Sequence, residues 1–108
     1  MTVKELAEQL GLEVVAGTLE AQINGVYVGD LLSNVMAKAK EHNLWLTIQG
    51  HQNVVAVASL TGVAAVIVVE GFEVEPAVIK RAEEKGVNIL RTPLTAYELI
   101  CKLIALGI

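Results

Sequence analysis

The sequence predicts an α/β chain, a three-layer sandwich with a mainly parallel central sheet and helices on both faces. Three observations carry that expectation. The 108 residues are 54% hydrophobic but only 4% aromatic, so the apolar share is mostly Val, Leu, Ile and Ala. That composition suits strands covered on both faces. From Gly25 onward, strand-like and helix-like runs alternate, the pattern of βα units joined by right-handed crossovers. The run "AAVIVV" contains no polar residue, as expected of a strand at the centre of a sheet. A chain of this length favours one domain over residues 1–108.

Thr2-Val-Lys-Glu5 is a capping box, in which the hydroxyl and the carboxylate satisfy free amides at a helix start. The helix "VKELAEQL" should stop at Gly11. "LEVVAG" reads as a short strand and "TLEAQING" as a polar connection. "GVYVG" is a strand ending at Asp30. "LLSNVMAKAKE" is a helix with Leu31, Leu32, Val35, Met36 and Ala39 on one face and Lys38, Lys40 and Glu41 elsewhere. "LWLTIQ" is a strand with Trp45, Thr47 and Gln49 on one side and Leu44, Leu46 and Ile48 on the other. A buried Trp and Gln on one face demand hydrogen-bond partners, from a polar pocket or a second subunit.

"NVVAVASL" is a helix ended by Gly62, and "AAVIVV" follows as the central strand. "EPAVIKRAEEKG" is a surface helix with Pro76 near its start and Gly86 just past its end. "VNIL" is the next strand and "TAYELICKLIAL" the last helix.

Two helices are too apolar for a single buried face. In the last one, Thr95, Glu98 and Lys102 form one narrow polar stripe, and "VVAVA" is apolar for more than a full turn. A helix apolar all round is buried on more than one side. A small chain has little interior for that, so a homodimer is expected through the helices from Val54 to Leu60 and from Leu99 to Leu106.

Composition excludes several function classes. The net charge is −4, with no basic stripe, so nucleic acid is an unsuitable partner. No apolar stretch reaches the ~18 residues of a membrane span, and the start "MTVKELAEQL" has no signal-peptide core. A single cysteine, Cys101, excludes an intramolecular disulfide. These features fit a cytoplasmic protein.

Ligands of parallel α/β sheets bind beyond the carboxyl ends of the strands. Those ends deliver Asp30 with Ser33 and Asn34, then Gln49, Gly50, His51, Gln52 and Asn53, then Glu70 and Gly71, then Arg91 and Thr92. The amides after Gly50 lie at a helix start, which suits an anion or a carbonyl oxygen. The candidate ligand-binding set is therefore Asp30, Asn34, Gln49, Gly50, His51, Gln52, Asn53, Glu70 and Gly71.

Each candidate also has a plain structural reading. Asp30 suits a helix N-cap, as do Asn53 and His51. Glu70-Gly71 suits a turn. Thr92-Pro93 suits a cap followed by proline at the first helical position. Arg91 suits a surface ion pair, and His42 in "KEHN" a solvated turn. Cys101 among Ile100 and Leu103 suits a buried, inert thiol. No phosphate-loop, dinucleotide, nucleophile-elbow or zinc-protease motif is present, and two separated histidines and one cysteine make no metal site. No cofactor is expected.

The combination "GDLLSNVMAKAK…LWLTIQGHQNVVAVA" resembles the DRTGG domain family, most clearly from Val26 to Ile104. The resemblance implies a fold similar to the N-terminal domain of HPr kinase/phosphorylase. It also implies kinship with accessory modules of some phosphotransacetylases and of CBS-containing inorganic pyrophosphatases. The pattern looks most like small stand-alone members, some of them associated with iron-only hydrogenase gene clusters. Where the family has Asp-Arg after a glycine, this chain has His51 and Gln52 after Gly50. Where it has Thr-Gly-Gly, this chain has Val69, Glu70 and Gly71, which keeps only Gly71. Since the family's enzymes carry their chemistry in other domains, the resemblance implies a non-catalytic regulatory or dimerising role.

Three readings follow. The first is a regulatory or ligand-sensing homodimer, accessory to a metabolic or hydrogenase-related system, that takes a small molecule or anion. The second is an assembly protein that docks on a partner enzyme without a ligand. The third is a small enzyme using His51 as acid or base.

Overall fold

Four strands lie parallel and in chain order, and a fifth closes the sheet from the opposite edge. The computed structural model describes residues 1–51 and 53–108, so Gln52 lies outside the described residues. The elements run α1 (Val3–Leu10), β1 (Glu13–Ala16), β2 (Gly25–Val28), α2 (Leu32–Lys38) and β3 (Asn43–Thr47). They continue α3 (Asn53–Thr61), β4 (Ala65–Val68), α4 (Pro76–Lys85), β5 (Ile89–Arg91) and α5 (Ala96–Ala105). The sheet order is β1-β5-β4-β3-β2. Strands β2 to β5 pair in parallel, while β1 pairs antiparallel with β5, Val14 opposite Leu90.

All four residues of β4 are buried, and β4 is the middle strand, as its wholly apolar sequence predicts. Strand alternation then sorts the core into two layers. Leu44, Leu46, Ile67 and Leu90 point to one side and pack with Leu6, Leu99 and Leu103 of α1 and α5. Trp45, Val66, Val68 and Ile89 point to the other side and meet Val35, Val55 and Val78 of α2, α3 and α4. The three crossover helices share one face because the strands follow in order and every crossover turns the same way.

Local chemistry explains the helix ends. Thr2 and Glu5 form the predicted capping box, with the Glu5 amide donating to Thr2 Oγ1 at 3.2 Å and the Thr2 amide to Glu5 Oε1 at 2.9 Å. Thr95 and Glu98 form a second box at the start of α5. Gly11 and Gly86 end α1 and α4 in the left-handed conformation. Pro76 occupies the first turn of α4.

The structure corrects or refines several expectations. The cap of α5 is Thr95 and not Thr92, because the capping box wins over the Thr-Pro pair. Thr92 is buried, and its hydroxyl accepts from the Leu94 amide at 3.2 Å. On α2 only Val35 is fully buried, while Leu31 and Met36 are 63% and 51% exposed. That helix sits over the sheet edge, so its outer side meets no neighbouring element. Cys101 is exposed, because it falls on the side of α5 facing away from Leu99 and Leu103. Helix α3 is indeed apolar on several sides, and the chain itself covers most of them, leaving Leu60 72% exposed. Val54, Val55, Val57 and Ala58 are buried between the sheet, α2 and α4.

One buried polar residue escaped the sequence reading. Asn88 donates to the Ala64 carbonyl at 2.9 Å and accepts from the Leu19 amide at 3.0 Å. It ties the β1–β2 connection to the start of β4. Gly17 lies against it, where a Cβ would stand 2.0 Å from Asn88 Oδ1.

Candidate functional site

The carboxyl ends of the parallel strands gather most of the predicted site residues, and hydrogen bonds sort them into three groups. The first joins β2 to β3. Trp45 Nε1 donates to the Gly29 carbonyl at 2.9 Å. Asp30 Oδ1 accepts from Thr47 Oγ1 at 2.7 Å and from the Ile48 amide at 2.9 Å. The Gln49 side-chain amide donates to the Asp30 carbonyl, and the Gln49 backbone amide donates to Thr47 Oγ1 at 3.2 Å. Trp45, Thr47 and Gln49 thus share a face, and their polar partners are the turn after β2. Asp30 is no helix cap. Leu31 holds that position without a side-chain bond, because the Asp30 carboxylate is drawn to the neighbouring strand.

The second group surrounds Gly50. The Glu75 amide donates to the Gly50 carbonyl at 3.2 Å. A Cβ at Gly50 would stand 2.1 Å from the Glu73 carbonyl oxygen. The close approach that this glycine permits is therefore made by the chain itself, and it sews the β3–α3 loop to the segment before α4.

The third group surrounds Arg91. Glu70 and Gly71 form a tight turn with φ of 59° and 71°. Their amides donate to the Leu94 and Thr92 carbonyls at 2.8 and 3.0 Å, so this turn leans on the segment before α5. The Arg91 guanidinium donates to the Phe72 and Gly71 carbonyls and to Glu73 and Glu13. Arg91 is a clamp on the 71–73 loop, which exceeds the simple ion pair expected of it. A small cavity of about 130 Å³ lies beside it, lined by Glu13, Gly71, Arg91, Thr92 and Pro93.

His51 and Asn53 are exposed at the entry to α3, and the His51 carbonyl accepts from the Val54 amide at 3.1 Å. Asn53 is the first residue of α3 and so does not cap it, and Gln52 lies outside the described residues. Asn34 is exposed on α2. Among the described residues, no side-chain hydrogen bond or ion pair joins His51, Asn34, Asn53 or Glu70 to the rest. His42 lies in its predicted turn, its Nδ1 3.2 Å from the Gln22 carbonyl oxygen.

Two features bear on what this edge can hold. Gln49 Oε1 is buried and has no hydrogen-bond partner among the described residues. Asp30, Glu70, Glu73 and Glu75 also make the edge acidic, and the donors of Arg91 are already engaged. The strand order brings no reversal between neighbouring parallel strands, which is where a deep crevice would open. Among the described residues, no group of three or more His, Cys, Asp or Glu could hold a metal ion. None of the described helices is long and apolar enough to cross a membrane.

This α/β scaffold, with its strand-end loops stitched to one another, places the chain in a known class of domain. The chain belongs to the DRTGG domain family, whose model matches residues 5–105. Its fold is similar to a crystal structure of the CBS and DRTGG domains of the regulatory region of Clostridium perfringens pyrophosphatase, complexed with its activator, diadenosine tetraphosphate. The TM-score is 0.69 at 13% sequence identity, over 90% of this chain and 43% of that one. The chain thus spans less than half the length of that structure. No curated protein matches it.

Proposed function

We propose that this protein is a non-catalytic, cytoplasmic regulatory module that senses a small molecule. It acts as a homodimer beside a partner enzyme of a metabolic or hydrogenase-related system. The observation that supports this most is its membership of the DRTGG family, together with a fold similar to a regulatory region that carries an activator. The ligand site we assign is the carboxyl-end edge, with His51, Gln49 and Asn53 at its centre and Asp30 and Glu70 at its flanks.

The charge of that edge narrows the ligand. A polyphosphate such as diadenosine tetraphosphate would meet Asp30, Glu70, Glu73 and Glu75, while Arg91 at that edge is already paired with Glu13 and Glu73. A neutral or cationic ligand with a hydrogen-bond donor fits better, since buried Gln49 Oε1 has an acceptor to offer. A thermal-shift screen tests the reading. A ligand that binds only the folded state at 100 times its Kd adds about 2.7 kcal/mol of stability. The His51→Ala, Gln52→Ala double variant should fold normally and lose most of that shift. Equal shifts in parent and variant would reduce the 50–53 segment to a structural turn.

The second reading, a docking protein without a ligand, is favoured by one observation, the bare apolar outer face of α5.

A further inference from the structure

The outward side of α5 is apolar, although it faces solvent. Leu99 and Leu103 are buried beneath the helix, which leaves Tyr97, Cys101, Ile104 and Ala105 on the far side. Tyr97 and Ile104 are 77% and 65% exposed. At 3.6 residues per turn these four positions fall within one arc, with Cys101 at its middle. Glu98 and Lys102 are the only charged side chains on α5, and they sit together along one flank of that arc.

We propose that this face docks on the same face of a second copy, with the two α5 helices antiparallel and Cys101 beside the two-fold axis. The inference deepens the homodimeric part of the reading above and rests on it. Two features of the face select the antiparallel arrangement. The axis that reverses one helix keeps the charged flanks on the same side, which brings Glu98 of each copy near Lys102 of the other. A parallel pair would place the two charged flanks on opposite sides, each beside an uncharged one. Size complements in the same way. Residues 97 and 105 are equidistant from 101, so reversal sets each Tyr97 beside the small Ala105 of the other copy. A parallel pair would oppose tyrosine to tyrosine at one end and alanine to alanine at the other. The exposed ion pairs fix orientation more than affinity. The contact is only about 15 Å long at 1.5 Å per residue, well below a standard interface, so the pair should dissociate on dilution.

The test uses the full chain and its single cysteine. Sedimentation across a dilution series should show dimer in reversible exchange with monomer. Copper(II) phenanthroline should remove two electrons and two protons from a pair of Cys101 thiols and leave one disulfide-linked dimer. Ile104→Glu should slow that coupling roughly tenfold or more and shift the chain to monomer. At concentrations low enough for the parent to be monomeric, its melting temperature should match the parent's, because Ile104 is exposed on the monomer.

Orientation is read separately in a Cys101→Ser background. Ala105→Cys alone should couple poorly if the helices are antiparallel, while Tyr97→Cys combined with Ala105→Cys should couple readily. Efficient coupling of Ala105→Cys alone would overturn the antiparallel arrangement. A dimer that survives Ile104→Glu but dissociates with Leu60→Glu would overturn the α5 interface and leave the homodimer standing. A monomer at every concentration would overturn both.

Discussion

Helices α3 and α5 are both apolar around most of their circumference, and the fold treats them differently. α3 lies in the middle of its layer, with α2 and α4 on either side, so Val54, Val55, Val57 and Ala58 are all covered by the chain. α5 lies in the other layer, where it shares the sheet face with α1, and its outer side is exposed. Hydrophobic excess in a helix therefore says that several sides need burial. It does not say whether the neighbours come from the same chain. The crossovers decide that, since three of them fall on one face and crowd it.

The largest expected effect sharpens this contrast. Val55→Asp places an uncompensated charge in the covered layer and should abolish cooperative unfolding in a denaturant melt, as should Val68→Asp in the central strand. The same charge at Ile104, measured at concentrations where the chain is monomeric, should change stability by no more than about 0.5 kcal/mol. Equal losses at Val55 and Ile104 would break the comparison.

Next in size is the seam at the entry to α3. Gly50→Ala drives a methyl group into the Glu73 carbonyl, and backbone cannot yield as a flexible side chain does. A loss of about 1–3 kcal/mol is expected, visible as a lower melting temperature. An unchanged melt would mean the 73–75 segment moves freely. Asp30→Ala should cost about 1–3 kcal/mol, since Thr47 and the Ile48 amide lose their acceptor. Asp30→Asn keeps an oxygen there and should cost less. If both variants cost the same, the hydrogen bonds to Oδ1 are not what holds the turn.

The smallest effect belongs to the outer layer alone. The backbone amide of Thr95, and then its hydroxyl, hold the Glu98 carboxyl below its ordinary range, and Thr2 does the same for Glu5. A carboxyl whose pKa is lower folded than unfolded stabilises the fold above the unfolded value. That contribution disappears as pH falls through the folded value. Glu5→Gln with Glu98→Gln should therefore flatten the acid limb of a stability profile. α3 has no acidic residue in its first turn and contributes nothing of this kind. An acid limb as steep as the parent's would remove the two boxes as its source.

The parts of the fold legible in the sequence are those set by short-range chemistry. The Thr2–Glu5 box, Gly86 after α4 and the unbroken apolar run of β4 depend on neighbours within a few residues, and each stands where its local pattern puts it. Asp30 shows where that logic stops. Its nearest chain neighbours suggest a cap, but Thr47, seventeen residues on, takes the carboxylate instead. Gly50 resembles an opening for a ligand until residues 73–75 arrive from the next loop. Cys101 has apolar neighbours in sequence on both sides, yet nothing in that sequence says which side of α5 the sheet will meet. The candidate site was legible as a collection of strand ends. Its internal bonding was not, because the ties of Asp30, Gly50 and Arg91 each join separate loops.

The pairing of β1 with β5 sets an order of assembly. Glu13 and Arg91 are 78 positions apart in the chain, while β2, β3 and β4 each pair with the strand that follows. On a chain growing from its N-terminus, β1 must wait for β5 before it has a partner. The β2–β4 unit with α2 and α3 can close by short loops well before then. Until β5 arrives, Val14 and its neighbours form an unpaired apolar strand. Pulse-labelled hydrogen exchange during refolding should therefore protect the amides of β4 before those of β1, and simultaneous protection would show that the sheet closes in one step.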